Sequence, residues 1–158
     1  MTEVENIFFM VLEDLKDYLE DLTIVGGWLP FLYARYLWND LAIRTITTVD
    51  IDFGFGDTKT KEYSKTIFQV LSSLDYKESH FQMDRMYPVV LYKQGKIPID
   101  FITSPMVEKE IIDKLIGRQI KINKIDKFNF LLNNRVPIIV KHKIILLPIN
   151  NTNIDFFY

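Results

Sequence analysis

Thr48-Val49-Asp50-Ile51-Asp52-Phe53-Gly54-Phe55 is the stretch that decides how this chain is interpreted. Apolar residues alternate with acids in it, at the period of two that is typical of a strand. Asp50 and Asp52 are therefore expected to point to the same face, roughly 7 Å apart along the strand. Neighbouring carboxylates repel each other, and proteins commonly accept that repulsion where a divalent cation binds between them. The pair predicts a metal site.

A third acid, Asp100, lies inside another apolar strand pattern that covers residues 96–102. A charge without a partner is costly to bury in such a run, so Asp100 is expected to share the metal if the two strands are neighbours. Gln94-Gly95 predicts a tight hairpin that would bring Asp100 into the sheet of the pair. Three carboxylates can hold two cations about 4 Å apart, the arrangement that stabilises attacking and leaving oxygens in phosphoryl or nucleotidyl transfer.

A glycine pair, Gly26 and Gly27, ends a short predicted strand at residues 23–25 and precedes a predicted helix. Glycines let a backbone approach a phosphate closely, and a helix N-terminus offers free N–H groups and a positive dipole end. The turn therefore predicts a phosphate site. Trp28, the next residue, has two expected roles: stacking on a nucleotide base, or packing in the core where the helix begins.

The order of these features resembles the nucleotidyltransferase superfamily typified by DNA polymerase beta, whose pattern is a glycine turn, an aspartate pair and a later aspartate on a strand. The chain also resembles the abortive-infection toxin and lincosamide nucleotidyltransferases. Arg44, Thr47 and Thr48 are similar to the Arg and Ser/Thr often found just ahead of the pair. The resemblance covers roughly residues 22–104, and the interval from glycine turn to aspartate pair is longer than in compact members.

This resemblance implies a metal-dependent transfer of a nucleoside monophosphate from an NTP to a hydroxyl acceptor. The acceptor can be a small molecule, a protein or RNA, and a connection to a toxin–antitoxin pair or another protein partner is implied as well. Asp50, Asp52 and Asp100 would be the catalytic and metal-binding residues, with one or two magnesium ions. The nucleotide-binding residues would be Gly26, Gly27, Trp28 and Thr48.

Other interpretations of the same residues stay open. The glycine pair can be no more than a strand-to-helix turn, and the aspartates can line an exposed sheet face. A catalytically inactive nucleotide-binding protein, or an antitoxin-like interaction protein on the same fold, would also carry them. A phosphohydrolase would use the same acids, but the glycine turn precedes the acids in the order found in the transferases.

Composition sets the limits of these hypotheses. The 158 residues fit a single domain with a core over about 22–104, while 105–158 form a strand-rich extension or the truncated beginning of a second part. A hydrophobic content of 48% excludes disorder over most of the length.

The apolar runs are shorter than the roughly 18 residues of a membrane span and the N-terminus is acidic, so a cytoplasmic protein without membrane contact is expected. The absence of cysteine excludes disulfides and thiolate chemistry.

The formal net charge of −2 is unevenly distributed. Residues 1–22 carry seven acids and one lysine, whereas residues 109–143 carry nine Lys or Arg and three acids. A basic half can attract a nucleic acid or the triphosphate of a nucleotide. Lysines scattered between apolar residues are more often the solvated face of strands, so binding of nucleic acid is only weakly predicted.

Periodicity and turn residues predict helices and strands of an α+β chain with extra C-terminal strands. The resemblance implies the nucleotidyltransferase fold, in which a mixed central sheet is flanked by helices. Helices are predicted at residues 3–21, 28–38, 59–74 and 106–116. Strands are predicted at 23–25, at the aspartate pair, and at 79–83, 87–93, 96–103, 120–122, 128–132, 136–140 and 144–147.

Overall fold

The computed structural model describes residues 2–43, 48–57, 61–79, 90–93 and 97–148, with only the backbone of residues 79 and 90–93. Arg44, Thr47 and the predicted turn at residues 94–95 lie outside the described residues. The helices are α1 (Glu3–Asp14), α2 (Leu29–Leu32), α3 (Ile67–Ser73), α4 (Lys109–Leu115) and α5 (Asn129–Asn133). The strands are β1 (Thr23–Val25), β2 (Ile51–Gly54), β3 (Tyr76–Ser79), β4 (Val90–Lys93), β5 (Ile97–Thr103), β6 (Asn123–Lys124), β7 (Arg135–Val140) and β8 (Lys143–Pro148).

One mixed sheet contains all eight strands of the described part, in the order β3-β4-β5-β2-β1-β8-β7, with β6 beside β5. In its middle, β2 runs antiparallel to β1 and parallel to β5. The hairpin of β7 and β8 joins the sheet through β8, which is parallel to β1. The predicted α+β class, with a mixed sheet and additional C-terminal strands, is confirmed.

The main core lies on one face of this sheet, beneath α1 and the helical segment that follows the glycine pair. Thr2 caps α1: its hydroxyl accepts the N–H of Glu5, and the Glu5 carboxylate accepts the N–H of Thr2. The helix ends at Asp14 and is followed by a 3₁₀ turn, so it is shorter than the predicted segment 3–21. The largest side chains of this core include Phe8, Leu12, Trp28, Ile51, Phe53 and Phe101.

A second, smaller apolar cluster lies on the opposite face, where α5 covers part of the sheet. Phe128 and Leu132 are buried there against Val25. A strand was predicted for residues 128–132, and that prediction is wrong because the chain is helical from Asn129 to Asn133. Residues four apart share one side of a helix, so Phe128 and Leu132 both face the sheet while Phe130 stays 56% exposed.

Three other predicted elements are displaced or shortened. The helix predicted at 59–74 begins only at Ile67, where Thr66 and Gln69 form a capping box that marks its N-terminus. The strand predicted at 120–122 lies at 123–124. A strand also covers 76–79, and the rest of the segment predicted at 79–83 lies outside the described residues. The helix predicted at 28–38 is a run of 3₁₀, α and π turns from Gly26 to Leu37. Within the described residues, none of the helices is both long and apolar enough to cross a membrane.

Candidate active site

Asp52 and Asp100 lie side by side on the two middle strands of the sheet. The parallel register of β2 and β5 places Asp52 opposite Asp100, so the two side chains point to the same face, on strands about 4.8 Å apart. Alternate residues of β5, from Ile97 to Thr103, are buried and Asp100 is half-buried between them. Both acids therefore lie on the face away from the main core. The structure brings together acids that are distant in sequence.

The acids influence each other's protonation. Burial, followed by the negative charges of Asp50 and Asp100, raises the pKa of Asp52 from its ordinary value of 3.8 to about 7. Burial and the charge of Asp50 also raise the pKa of Asp100. Both effects disfavour the ionised carboxylates, and a nearby cation would reverse them. Near neutral pH, Asp52 therefore carries a proton for part of the time, and a bound cation would displace it.

Asp50 completes the cluster from just outside the strand, one residue before β2 begins. Its carbonyl oxygen accepts two hydrogen bonds. The indole Nε1–H of Trp28 donates at 2.9 Å, and the hydroxyl of Thr48 donates at 3.1 Å. These two donors fix the backbone at the point where the chain enters the sheet.

The glycine turn lies directly against the acid strand. Gly26 has a φ of +72°, and a Cβ added to it would lie 2.1 Å from Oδ2 of Asp52. A Cβ on Gly27 would lie 2.0 Å from the methyl carbon of Thr48. A side chain at either position would displace its neighbour, and at Gly26 the left-handed backbone adds strain for any other residue. The turn residues predicted to receive phosphates are thus adjacent to the acids, with Gly26 exposed.

Trp28 does not have the base-stacking role. Its side chain is fully buried, stacks on Phe8 with ring centroids 4.0 Å apart, and meets the ring of Phe31 edge-on. The prediction that Trp28 stacks on a nucleotide base is wrong because no part of the ring is open to a ligand. Core packing, the other expected role, is what the structure has, and the indole N–H finds its partner in Asp50.

Thr48 is half-buried between the glycine turn and the acids. Its methyl group occupies the space that the missing side chain of Gly27 leaves, and its hydroxyl is directed to the backbone of Asp50. Thr48 therefore supports the acid strand, while its contact with a nucleotide stays a prediction.

No protein-family model matches this chain, and neither does any curated protein or solved structure. The chemistry of the site is therefore inferred from its own residues.

The donor set of the cluster suits a hard divalent cation, because Asp50, Asp52 and Asp100 offer carboxylate oxygens. In the part of the chain that the structure describes, no three His, Cys, Asp or Glu side chains are arranged so that they could hold an ion as they stand. The raised pKa of Asp52 is compatible with this fit, since a cation would offset the burial and the neighbouring negative charges that cause it. Binding would require the carboxylates to turn towards one another.

One wall of the site was not foreseen from the sequence. The ring of Phe128 lies over Gly54, where an added Cβ would be 2.7 Å from its Cζ, and Gly54 is two residues beyond Asp52 on the same strand. Residues 128–133 therefore bound the acid face on one side. The spacing of four between Phe128 and Leu132 was the available signal, but a short apolar run fits a strand as well as a helix.

A larger cleft of about 780 Å³ lies elsewhere, between the segment 61–69 and α4. Its charged side chains neutralise one another: Lys114 and Glu110, for example, form an ion pair of 2.8 Å. The residues that line it include none of the three acids. Its size alone gives no reason to place the chemistry there.

Proposed function

We propose that this chain is a metal-dependent nucleotidyltransferase with the nucleotidyltransferase fold, which moves a nucleoside monophosphate from an NTP to a hydroxyl acceptor. The observation that carries the proposal is the register of β2 and β5, which sets Asp52 beside Asp100 on the face of the sheet away from the main core. The glycine turn against Asp52 supports it further. The closeness of the acids to the glycine turn supports the proposal, because the resemblance implies that these two features share one site.

Each acid has a distinct task in this proposal. Asp50 and Asp52 hold the cation that accompanies the triphosphate, and Asp100 contributes to a second cation and orients or deprotonates the acceptor hydroxyl. Bound magnesium would neutralise the charge that develops on the phosphates and on the leaving pyrophosphate. The exposed backbone at Gly26 is the nearest described surface for the phosphates.

Attack by the acceptor hydroxyl on the α-phosphorus forms the new P–O bond and breaks the bond to the β-phosphate oxygen. Pyrophosphate leaves, and the proton of the hydroxyl passes to Asp100 or to solvent. The basic segment 109–143 is compatible with an RNA acceptor, and small-molecule and protein hydroxyls fit the same chemistry. A cytoplasmic location, where NTPs and magnesium are abundant, and a toxin–antitoxin context belong to this proposal.

The experiment that tests the proposal is transfer of label from α-³²P-labelled NTPs in the presence of Mg²⁺, with a cell lysate as the source of acceptor. Asp50→Asn, Asp52→Asn and Asp100→Asn are each expected to abolish transfer. Asp57→Asn is the matched control, because Asp57 is an exposed acid beyond the other end of β2. Transfer that survives Asp50→Asn and Asp52→Asn together would contradict the mechanism.

A catalytically inactive protein on the same fold, which binds nucleotide or a protein partner, is the second candidate. The observation that favours it is the arrangement of the described acids, which do not form a ready-made cation site. Binding of an NTP in Mg²⁺ without transfer of label, in lysates and with purified RNA, would favour this candidate over the enzyme.

A further inference from the structure

We infer that Trp28 and Thr48 are positioning residues of the acid cluster, which act through their hydrogen bonds to the carbonyl of Asp50. This inference rests on the proposed function, because it assumes that Asp50 shares a cation with the other two acids. Neither residue needs to touch the cation or the substrate. Their part is to hold the Asp50 backbone so that its carboxylate stays on the side of Asp52 and Asp100.

Asp50 needs such support because of its place in the chain. Asp52 and Asp100 are held within paired strands. Asp50 precedes β2, and the pairing of β2 with its neighbours begins only at Ile51. The backbone of Asp50 is therefore held by something other than that pairing. The two bonds to its carbonyl oxygen, 2.9 and 3.1 Å long, are a fixed attachment of this backbone to the rest of the fold.

The donor on the core side is rigid. Trp28 is 0% exposed, and its indole is packed between the rings of Phe8 and Phe31. A side chain held in this way cannot follow a moving acceptor, so it fixes the acceptor instead. Taken alone, the hydrogen bond of Trp28 can be explained by a structural role, because a buried indole N–H needs a hydrogen-bond partner in any fold.

The second donor makes the structural account incomplete. The Thr48 hydroxyl is not fully buried and could bond to water, yet it is directed to the same oxygen as the indole. It is kept there by Gly27, because a Cβ on that residue would lie 2.6 Å from the hydroxyl oxygen itself. The second glycine of the turn thus leaves room for a donor to Asp50, a role distinct from close approach to phosphate.

The inference can be tested without any activity assay by measuring how tightly the full chain binds Mn²⁺. Electron paramagnetic resonance of the free ion is the readout. Trp28→Phe removes the N–H together with the five-membered ring of the indole, whereas Thr48→Val keeps the shape of the side chain and removes only the hydroxyl. Each is expected to weaken Mn²⁺ binding by about tenfold or more, as loss of residues that support metal ligands commonly does. Thr48→Ser, which keeps the hydroxyl, is expected to bind more tightly than Thr48→Val.

Phe8→Leu is the matched control. It removes the ring that stacks on Trp28 and lowers stability, but it leaves the indole N–H and its bond to Asp50 in place. Mn²⁺ affinity that falls equally in Phe8→Leu and Trp28→Phe would overturn the inference and leave a structural role. Unchanged affinity in Thr48→Val would also overturn it, and this variant decides the matter if Trp28→Phe does not fold. A wild-type chain that binds no Mn²⁺ would remove the proposed function itself, and the inference with it.

Discussion

Asp52 has a charge where the fold disfavours one. The residue is partly buried on the face away from the core, between an acid that precedes it and an acid on the next strand. Its pKa of about 7 measures how strongly burial and these neighbours oppose ionisation. If a cation binds here as proposed, the stability lost at Asp52 is linked to that function.

Replacement of Asp52 by Asn should stabilise the folded chain at high pH. A raised folded pKa means that the contribution of Asp52 to stability is present below its unfolded pKa of about 4 and is lost as the pH rises through about 7. The free energy of unfolding of Asp52→Asn should therefore exceed that of the wild type by about 1–2 kcal/mol at pH 8, a value reduced for partial exposure. Urea denaturation at about pH 4 and pH 8 measures it, and a difference that is absent at pH 8 would speak against the raised pKa.

Gly26 should tolerate no side chain. Gly26→Ala places a Cβ in a left-handed backbone and against the Asp52 carboxylate, so we expect a loss of about 1–3 kcal/mol in the free energy of unfolding. Gly56→Ala is the control, because its nearest neighbour would be the flexible end of Leu132 at 3.1 Å. Denaturant titration of both variants checks this, and equal losses would show that the close approach to Asp52 is unimportant.

The roles of single residues were only partly predictable from the sequence. Asp50, Asp52 and Asp100 stood out because acids are unusual in apolar strand runs. For Trp28 the sequence left base stacking and core packing both open, because its position beside the glycines says nothing about the direction of its ring. That direction is decided by Phe8, which packs on it from α1.

Helix α5 shows how an element can depend on distant packing. Its run of apolar residues fits both helix and strand, and five residues are too few for a helix to be stable alone. Packing of Phe128 over Gly54 selects the helix, because a side chain at Gly54 would fill the same space. Phe128 and Gly54 are far apart in sequence, so local patterns could not predict this contact.

Substitutions along this segment should follow the helical spacing. Phe128→Ala should cost about 3 kcal/mol of unfolding free energy because its ring is buried, whereas Phe130→Ala should cost less than about 0.5 kcal/mol. A strand would place both rings on one face and make them similarly sensitive. Equal losses in denaturant titrations of the two variants would therefore contradict the helix.

The sheet as a whole connects the candidate site to the C-terminal hairpin. β1 lies between β2, which carries Asp52, and β8, so the hairpin is one strand away from the acid strand. The extra C-terminal strands were predictable from their apolar runs, whereas the mixed sheet was expected from the resemblance. The order of strands was not, because it depends on pairings between segments far apart, such as Thr23 with Leu146.

Stability of the whole molecule should therefore depend on β8. Ile145→Asp places a charge at a side chain that is 1% exposed and should abolish cooperative unfolding of the chain. Ile144→Asp, at a neighbour that is 62% exposed, should leave it nearly unchanged. Tryptophan fluorescence during thermal unfolding is the measurement, in a Trp38→Phe background so that Trp28 alone reports on the main core. A Trp28 transition that is unchanged in Ile145→Asp would show that the hairpin unfolds independently.

Calorimetric titration of the full chain with ATP, in the presence and absence of Mg²⁺, tests the central claim most directly. Asp100 is the residue to change, because only the fold brings it to the aspartate pair. We predict binding of one ATP that requires Mg²⁺ and is lost in Asp100→Asn but retained in Asp57→Asn. Mg²⁺-dependent binding that is the same in Asp100→Asn as in the wild type would contradict a shared site.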